Sequence, residues 1–374
     1  MKIDQVECWV LRAPITNPVR SSFGAMNNRP AVFVRITAAD GAWGWGEVFC
    51  NFPQVGAEHR GRLIDSLLGP LAVGFNGHRP ESLRTHLEAQ THRMALQCGE
   101  PGPFSQTIAA LDQAMWDMAA RRAGLPLWRL LVEGHPTKAN VRVYASGLGP
   151  DQVVDMALEK RQQGYRAFKL KVGFPGDTDL RNLQALREAL GPHAVLMLDA
   201  NQAWRPDEAV DRIGEMAKFH PYWMEEPIAA DEPLSSWKEL AEQCNVPLAA
   251  GENIRGIGDF RAALEGGHLK FVQPDLAKWG GVSGCMEVGR MAERSGVTFC
   301  PHWLGGGIGL AATLQMRAAL GDGGFVEVDA NPNPLRDEVV PALDIQDGTV
   351  TLSDTPGIGV EPDLALMQKY RVAA

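Results

Sequence analysis

From Val141 onward, short β-like runs alternate with longer helical ones, and this alternation restricts the possible folds more than any other feature of the chain. The strand candidates are residues 141–145, 167–172, 194–199, 222–225, 247–251, 270–273 and 297–301. Helical patterning fills the gaps, for instance over 150–163, 180–190, 206–219 and 284–295. Strands separated by helices pair in parallel through right-handed crossovers. Seven strands in this length predict a closed barrel, with a doubly wound open sheet as the alternative that periodicity alone leaves standing.

The rest of the chain reads differently. About the first 50 residues are strands and turns, with a β-rich run at 31–37, a turn at Ala39-Asp40-Gly41 and a second run at 42–48. Helical patterning covers roughly 57–131; it is clearest over 106–123, where Ile108, Leu111, Met115 and Met118 mark one face and Gly124 follows as a stop. The 374 residues suit about two domains. We expect an α+β capping domain over 1–138, the barrel over 139–343, and a segment over 344–374 that packs back on the cap.

Charge and cysteine usage narrow the function classes. A net charge of -9 argues against nucleic acid or an anionic membrane as partner but leaves a small anionic substrate open. The six cysteines form no C-x-x-C pair, as expected of reduced thiols in a cytoplasmic protein. The first residues are acidic where a signal peptide needs an apolar stretch, and no apolar run is long enough to cross a bilayer.

Chemistry concentrates where the predicted strands end. Asp199, Glu225 and Glu252 end three successive strands at intervals of 26 and 27 residues, one βα unit each. Catalytic groups of a parallel barrel sit at that rim, and three hard oxygen donors there suit Mg²⁺. Any one such acid alone is more often a helix cap or a solvated loop residue; three at the repeat spacing are harder to explain that way. Lys169 and Lys171 share one face of their strand, the face opposite Leu170 and Val172, so both should point into the barrel. An ammonium beside a cation and a second ammonium should have a lowered pKa, as a general base requires. Asp275 and His302 lie 27 residues apart on neighbouring strand ends, where the carboxylate can orient the imidazole. Gly305-Gly306-Gly307 could bring backbone amides to an anion or simply turn into a helix. Trp43, Trp45 and Trp303 are candidate pocket walls, though large aromatics are more often core.

Together these residues resemble the enolase superfamily, and within it the mandelate racemase group. The resemblance runs from Trp43-Gly44-Trp45-Gly46-Glu47 through Lys169-x-Lys171, Asp199-x-Asn201, Glu225-Glu226-Pro227, Gly251-Glu252-Asn253, Pro274-Asp275 and Pro301-His302 to Glu327. It implies a modified TIM barrel, (β/α)₇β, under an α+β cap. It implies Mg²⁺ held by Asp199, Glu225 and Glu252, with Lys171 as base on one face and His302, oriented by Asp275, on the other. Lys169 and Glu327 would touch the substrate carboxylate, with Asn201, Ser146, Trp303 and Phe23 as further substrate contacts. Lys278 stands where the muconate-cycloisomerase and dipeptide-epimerase groups are expected to carry a second lysine base. The stretches from Pro301 to Gly305 and from Glu327 to Arg336 are similar to galactarolactone and anhydrogalactonate cycloisomerases, which act on sugar acids. A polar candidate lid over 20–29 fits a hydroxylated substrate. Relatives of this kind are homo-oligomers, dimers or octamers.

The expected reaction is removal of the proton α to a carboxylate, giving a metal-stabilised enediolate. Dehydration or ring isomerisation of a sugar acid or its lactone is the leading outcome. Racemisation or epimerisation of a hydroxy acid or amino-acid derivative is the alternative. An inactive barrel with a binding role is the third reading, and it would be free to lose the acids or the dyad that this chain keeps.

Overall fold

The computed structural model describes residues 1–21, 24–132, 139–321 and 323–373. The chain opens with an antiparallel sheet of β1 (Ile3–Ser21), β2 (Gly24–Ala38) and β3 (Trp43–Val48). β1 runs past Pro14 and Pro18, and its register on β2 shifts between Pro14 and Val19, where proline has no N–H for the ladder. Then come α1 (Gly56–Leu63), a π-helical turn (Ile64–Leu68), α2 (Gly69–Ala72), α3 (Ser82–Gln97), α4 (Pro101–Ala123) and α5 (Leu127–Leu131). Pro101 starts α4, where a missing N–H costs nothing, and Gly124 at φ 65° closes it in the left-handed region. α4 packs directly on β3. Gly44 and Gly46 face the Ala114 and Ala110 carbonyls so closely that a Cβ at either glycine would collide with backbone.

The second unit alternates strand and helix: β4 (Asn140–Leu148), α6 (Val153–Gln162), β5 (Ala167–Lys171), α7 (Thr178–Leu190), β6 (Val195–Asp199), α8 (Pro206–Ala217), β7 (Met224–Glu225), α9 (Leu234–Gln243), β8 (Leu248–Ala250), α10 (Ile257–Glu265), β9 (Phe271–Val272), α11 (Gly281–Ser295), β10 (Thr298–Phe299), α12 (Gly307–Ala318) and β11 (Phe325–Asp329). The parallel ladder runs from β4 through β10, and β11 pairs in parallel with the other side of β4. Between β10 and β11 the Phe325 amide donates to Cys300 Sγ at 3.5 Å. Eight strands and seven helices make the (β/α)₇β barrel.

Beyond β11 come the single-turn α13 (Pro334–Asp337), the hairpin of β12 (Ile345–Gln346) and β13 (Thr349–Thr351), and α14 (Leu364–Tyr370). This last segment divides between the two units. β13 pairs antiparallel with the start of β4, so the hairpin extends the barrel sheet. The later residues of the segment pack on the cap: the Leu127 amide donates to the Gly357 carbonyl at 2.7 Å, the Ile358 amide to Asp117 Oδ1 at 2.7 Å, and the Val372 amide to the Val10 carbonyl at 2.9 Å.

Side chains alternate across each barrel strand, and the inward ones stack in two layers. Tyr144, Ala167, Met197, Trp223, Ala249, Phe271, Cys300 and Phe325 form one buried cluster, one residue per strand. Two residues further along each strand come Ser146, Lys169, Asp199, Glu225, Gly251, Gln273, His302 and Glu327. The lower layer is a plug of apolar and aromatic groups; the upper layer is the floor of the candidate site.

Candidate active site

The upper layer is a dense array of charge. Lys169 is fully buried, with Nζ 2.7 Å from Glu225 Oε1, 2.9 Å from Glu327 Oε1 and 3.4 Å from Asp199 Oδ2. Ser146 Oγ donates to Glu327 Oε1. One turn of the pleat higher, Lys171 Nζ donates to Asp199 Oδ2 at 2.6 Å and Asn201 Oδ1 at 2.9 Å. The Asn201 amide returns a bond to Asp199 Oδ1 at 2.9 Å.

Glu252 is out of phase with the layer, and Gly251 explains how it still arrives. At φ 156° Gly251 redirects the chain in a conformation that L side chains rarely adopt, and its Cβ position is filled by the Gln273 backbone. The Glu252 carboxylate thereby meets Lys278 Nζ at 2.8 Å and His302 Nε2 at 2.9 Å. His302 Nδ1 lies 2.6 Å from Asp275 Oδ2, while the other Asp275 oxygen accepts from the Ala277 and Lys278 amides. The expected Asp–His pair is therefore formed, with Nε2 turned toward the acids.

These contacts set the ionisation of the array. Burial pushes Glu225 up to about 7, helped by the Asp199 charge. Burial also raises Asp199, but Lys171 and Lys169 outweigh it and hold the carboxyl below its usual range. Burial would lower Lys171; Asp199 overcomes it and the net shift is upward. Lys169 does lower Lys171, but the carboxylate at 2.6 Å acts more strongly. For His302, likewise, burial is outweighed by Glu252 and Glu327, so the imidazole holds its proton well above its ordinary value.

Asp199, Glu225 and Glu252 thus arrive from successive strands, each on an ammonium group; among the described residues no three acid, histidine or cysteine groups close on a common point. Trp303 is not in the array. Its indole N–H donates to the Gly306 carbonyl at 3.0 Å and its ring packs over Gly309. Trp43 and Trp45 are not pocket walls either, since their indoles donate to Glu361 at 3.3 and 2.9 Å and tie the tail to the cap. Phe23 lies outside the described residues. Of the candidate lid, Arg29 is fixed to Asp329 at 2.6 Å and Asn28 accepts from Arg12 at 2.7 Å. The amides after the Gly305 turn do meet an acid, but it is the cap's own Glu47, whose carboxyl group accepts from Gly306 and Gly309.

Sequence reasoning missed Glu226 and Gln273. Glu226, at φ 38°, is buried, and its two carboxylate oxygens lie 3.0 and 2.8 Å from the Asn253 Nδ2 donor, which also reaches Glu252 Oε1 at 3.2 Å. Gln273 Nε2 donates to Glu225 Oε2 at 2.7 Å. Counting two residues along from each lower-layer position would have found Gln273.

Residues 5–132 match the family Mandelate racemase / muconate lactonizing enzyme, N-terminal domain, and residues 152–366 match Enolase C-terminal domain-like. A D-galactarolactone cycloisomerase of Agrobacterium fabrum is 31% identical over 388 residues, covering 100% of this chain and 99% of the relative. The crystal structure of a mandelate racemase/muconate lactonizing enzyme from Bordetella bronchiseptica RB50 is 45% identical, covers 99% of each chain and superposes with a TM-score of 0.92. An L-talarate/galactarate dehydratase from Salmonella typhimurium LT2, solved with Mg and L-lyxarohydroxamate, is 26% identical, covers 99% of this chain and 93% of its own, and gives a TM-score of 0.86. Cap, barrel and charged rim agree with these matches, and the chain belongs to the mandelate racemase/muconate lactonizing enzyme family of the enolase superfamily.

Proposed function

We propose that this protein is a Mg²⁺-dependent enzyme that removes the proton α to the carboxylate of a sugar acid or its lactone and then completes a dehydration or a ring isomerisation. One observation carries the reading. Three carboxylates from successive strands form a row, with Lys171 at the Asp199 end and His302 at the Glu252 end.

The donor set fits a divalent cation. Asp199, Glu225, Glu226, Glu252, Asp275 and Glu327 face Lys169, Lys171, Lys278 and His302, so the cluster keeps two more acids than bases. Asp199, Glu225 and Glu252 are hard oxygen donors, already drawn to positive groups, and would hold the ion. Bound there, it supplies Lewis-acid compensation for charge that develops on the substrate carboxylate.

The chain's own residues do the rest. Lys169, anchored by Glu327, stands ready to bind that carboxylate as its charge grows. With Asp199 committed to a cation, the largest influence that raises Lys171 would be spent, burial and Lys169 would lower it against the lesser pull of Glu327 and Glu225, and Lys171 would serve as the base. His302 holds its proton, and Asp275 fixes Nδ1 so that Nε2 delivers it. Delivery to a β-hydroxyl expels water; delivery to a ring oxygen isomerises a lactone or ether; delivery to carbon epimerises. A cytoplasmic setting suits six cysteines that are all free.

Hydrogen exchange in heavy water tests the reading. With Mg²⁺ and a panel of aldonates, aldarates and lactones, we expect α-hydrogen exchange accompanied by loss of water or ring rearrangement. Exchange with an unchanged carbon skeleton would select the epimerase. No exchange with any acid would reject the proposal.

A further inference from the structure

Glu225 is held from below as well as from the side. Oε2 accepts from Trp223 Nε1 at 3.2 Å, from Gln273 Nε2 at 2.7 Å and from Lys169 Nζ at 2.9 Å. Oε1 accepts from Lys169 at 2.7 Å. We propose that Trp223 and Gln273 are positioning residues that lock the Glu225 carboxylate, so that Oε2 is occupied by fixed donors and Oε1 is the oxygen presented to the cation. This inference rests on the metal role assigned to Glu225 above.

Both donors are immobile for reasons visible in the packing. Trp223 lies one layer below Glu225 on the same strand and has no exposed surface. Tyr144 meets its ring edge-on at 5.5 Å and Phe271 packs at 5.0 Å. The indole N–H is aimed upward by the plug, and swinging it away would open a void in a close-packed interior. Gln273 reaches Glu225 from two strands away. The layer residue between them is Gly251, which has no side chain to stand in the path, and Gly251 itself sits against the Gln273 backbone. Gln273 is 1% exposed, and its donor rather than its oxygen faces the carboxylate, since two oxygens there would repel.

Such donors matter because a carboxylate that is already oriented binds a cation without a further ordering cost. Loss of outer hydrogen-bond partners typically weakens metal binding by about 10–100-fold. Lys169 alone does not distinguish the two oxygens, since it donates to both.

The test uses the full chain without substrate. Mg²⁺ is titrated calorimetrically into wild type, Trp223→Phe and Gln273→Met, with Met197→Leu as a control from the lower layer. Thermal melts establish that each variant is folded. Trp223→Phe keeps the aromatic plug and loses the N–H; Gln273→Met keeps the length and loses the donor. We expect each folded variant to weaken Mg²⁺ binding about tenfold or more, Gln273→Met at a melting temperature near wild type and Trp223→Phe at a lowered one, with Met197→Leu within about twofold of wild type in Mg²⁺ affinity. The Mg²⁺ concentration for half-maximal turnover should rise while the saturated rate recovers. If Trp223→Phe fails to fold, Gln273→Met decides alone. Folded variants that bind Mg²⁺ as wild type does would overturn the positioning role and leave the metal assignment standing. A wild type that takes up no Mg²⁺ would remove both.

Discussion

Trp223 and Glu225, Phe271 and Gln273, and Cys300 and His302 each stand two positions apart, yet the first of each pair belongs to an apolar layer and the second to a polar one. The same strands build both layers, so the backbone does not decide the difference. The lower layer is held by volume, its aromatic rings meeting at 5.0 to 6.4 Å. The upper layer is held by pairing, with Lys169 at 2.7 to 3.4 Å from its three acids. Buried charges are tolerated only when paired and hydrogen-bonded. A rigid plug lets the layer above it hold that geometry, and the proposed function places the chemistry on the charge pairs above. Damage to the lower layer away from Trp223, whose indole reaches Glu225, should therefore appear as lost stability, and damage to the upper layer as lost function.

The sharpest separation comes from the upper layer and its rim. Lys171→Ala and His302→Asn should each lower turnover by about 10²–10⁴-fold, the usual worth of a general acid or base. Circular dichroism and the thermal melt should remain those of a folded barrel. If both variants keep full activity on a true substrate, the two-ended acid–base assignment is wrong.

The converse effect belongs to Met197, which is wholly buried in the plug. Met197→Ala should cost about 2–5 kcal/mol in denaturant unfolding, through lost burial and the cavity left behind. Mg²⁺ affinity of the fraction that remains folded should be retained. A variant equally stable but unable to bind Mg²⁺ would erase the distinction between the layers.

A smaller effect compares acids held by cations with acids held by amides. The cap inserts Glu47 at the start of α12 and Asp112 at the start of α11, where Asp112 accepts from the Ser283 amide at 2.9 Å. Burial pushes Glu47 up to about 8 and Asp112 up to about 7, against the lowering effect of those bonds. Raised folded values mean that the native state holds protons that the unfolded chain has released. Their stabilising contribution is complete below the ordinary carboxylate range and is lost as pH rises toward about 8. Melting temperature without metal should therefore fall between about pH 5 and pH 8, and Glu47→Gln should flatten that slope. An unchanged slope in Glu47→Gln would remove Glu47 as its source.

Much of this arrangement is legible in the sequence, for physical reasons that differ by element. Strands buried on both faces give short apolar runs, and each of the seven expected runs overlaps an observed strand. β11 escapes because Phe-Val-Glu-Val-Asp carries two acids, and β1 because its prolines look like breaks rather than one register shift. Asp199 and Glu225 are readable because they recur at the repeat length. Glu252 shares that spacing, but its delivery depends on the unusual φ of Gly251, which the sequence does not display. Gln273 carries no charge and Trp223 reads as core, so their convergence on Glu225 shows only in three dimensions. The direction of the Lys171 shift likewise depends on a contact with Asp199 that spacing cannot measure. Glu47 stands in a recognisable stretch, but its partners lie 259 and 262 residues away.

The central claim is that acids from three adjoining strands share one divalent ion. Diffraction from crystals grown with Mg²⁺, and with Mn²⁺ for its anomalous signal, tests it directly. The account predicts a single site with one oxygen each from Asp199, Glu225 and Glu252 at about 2.1 Å for Mg²⁺, and Lys171 and Lys278 drawn off their present partners. Carboxylates still clasped to those lysines, with the ion elsewhere or absent, would contradict it.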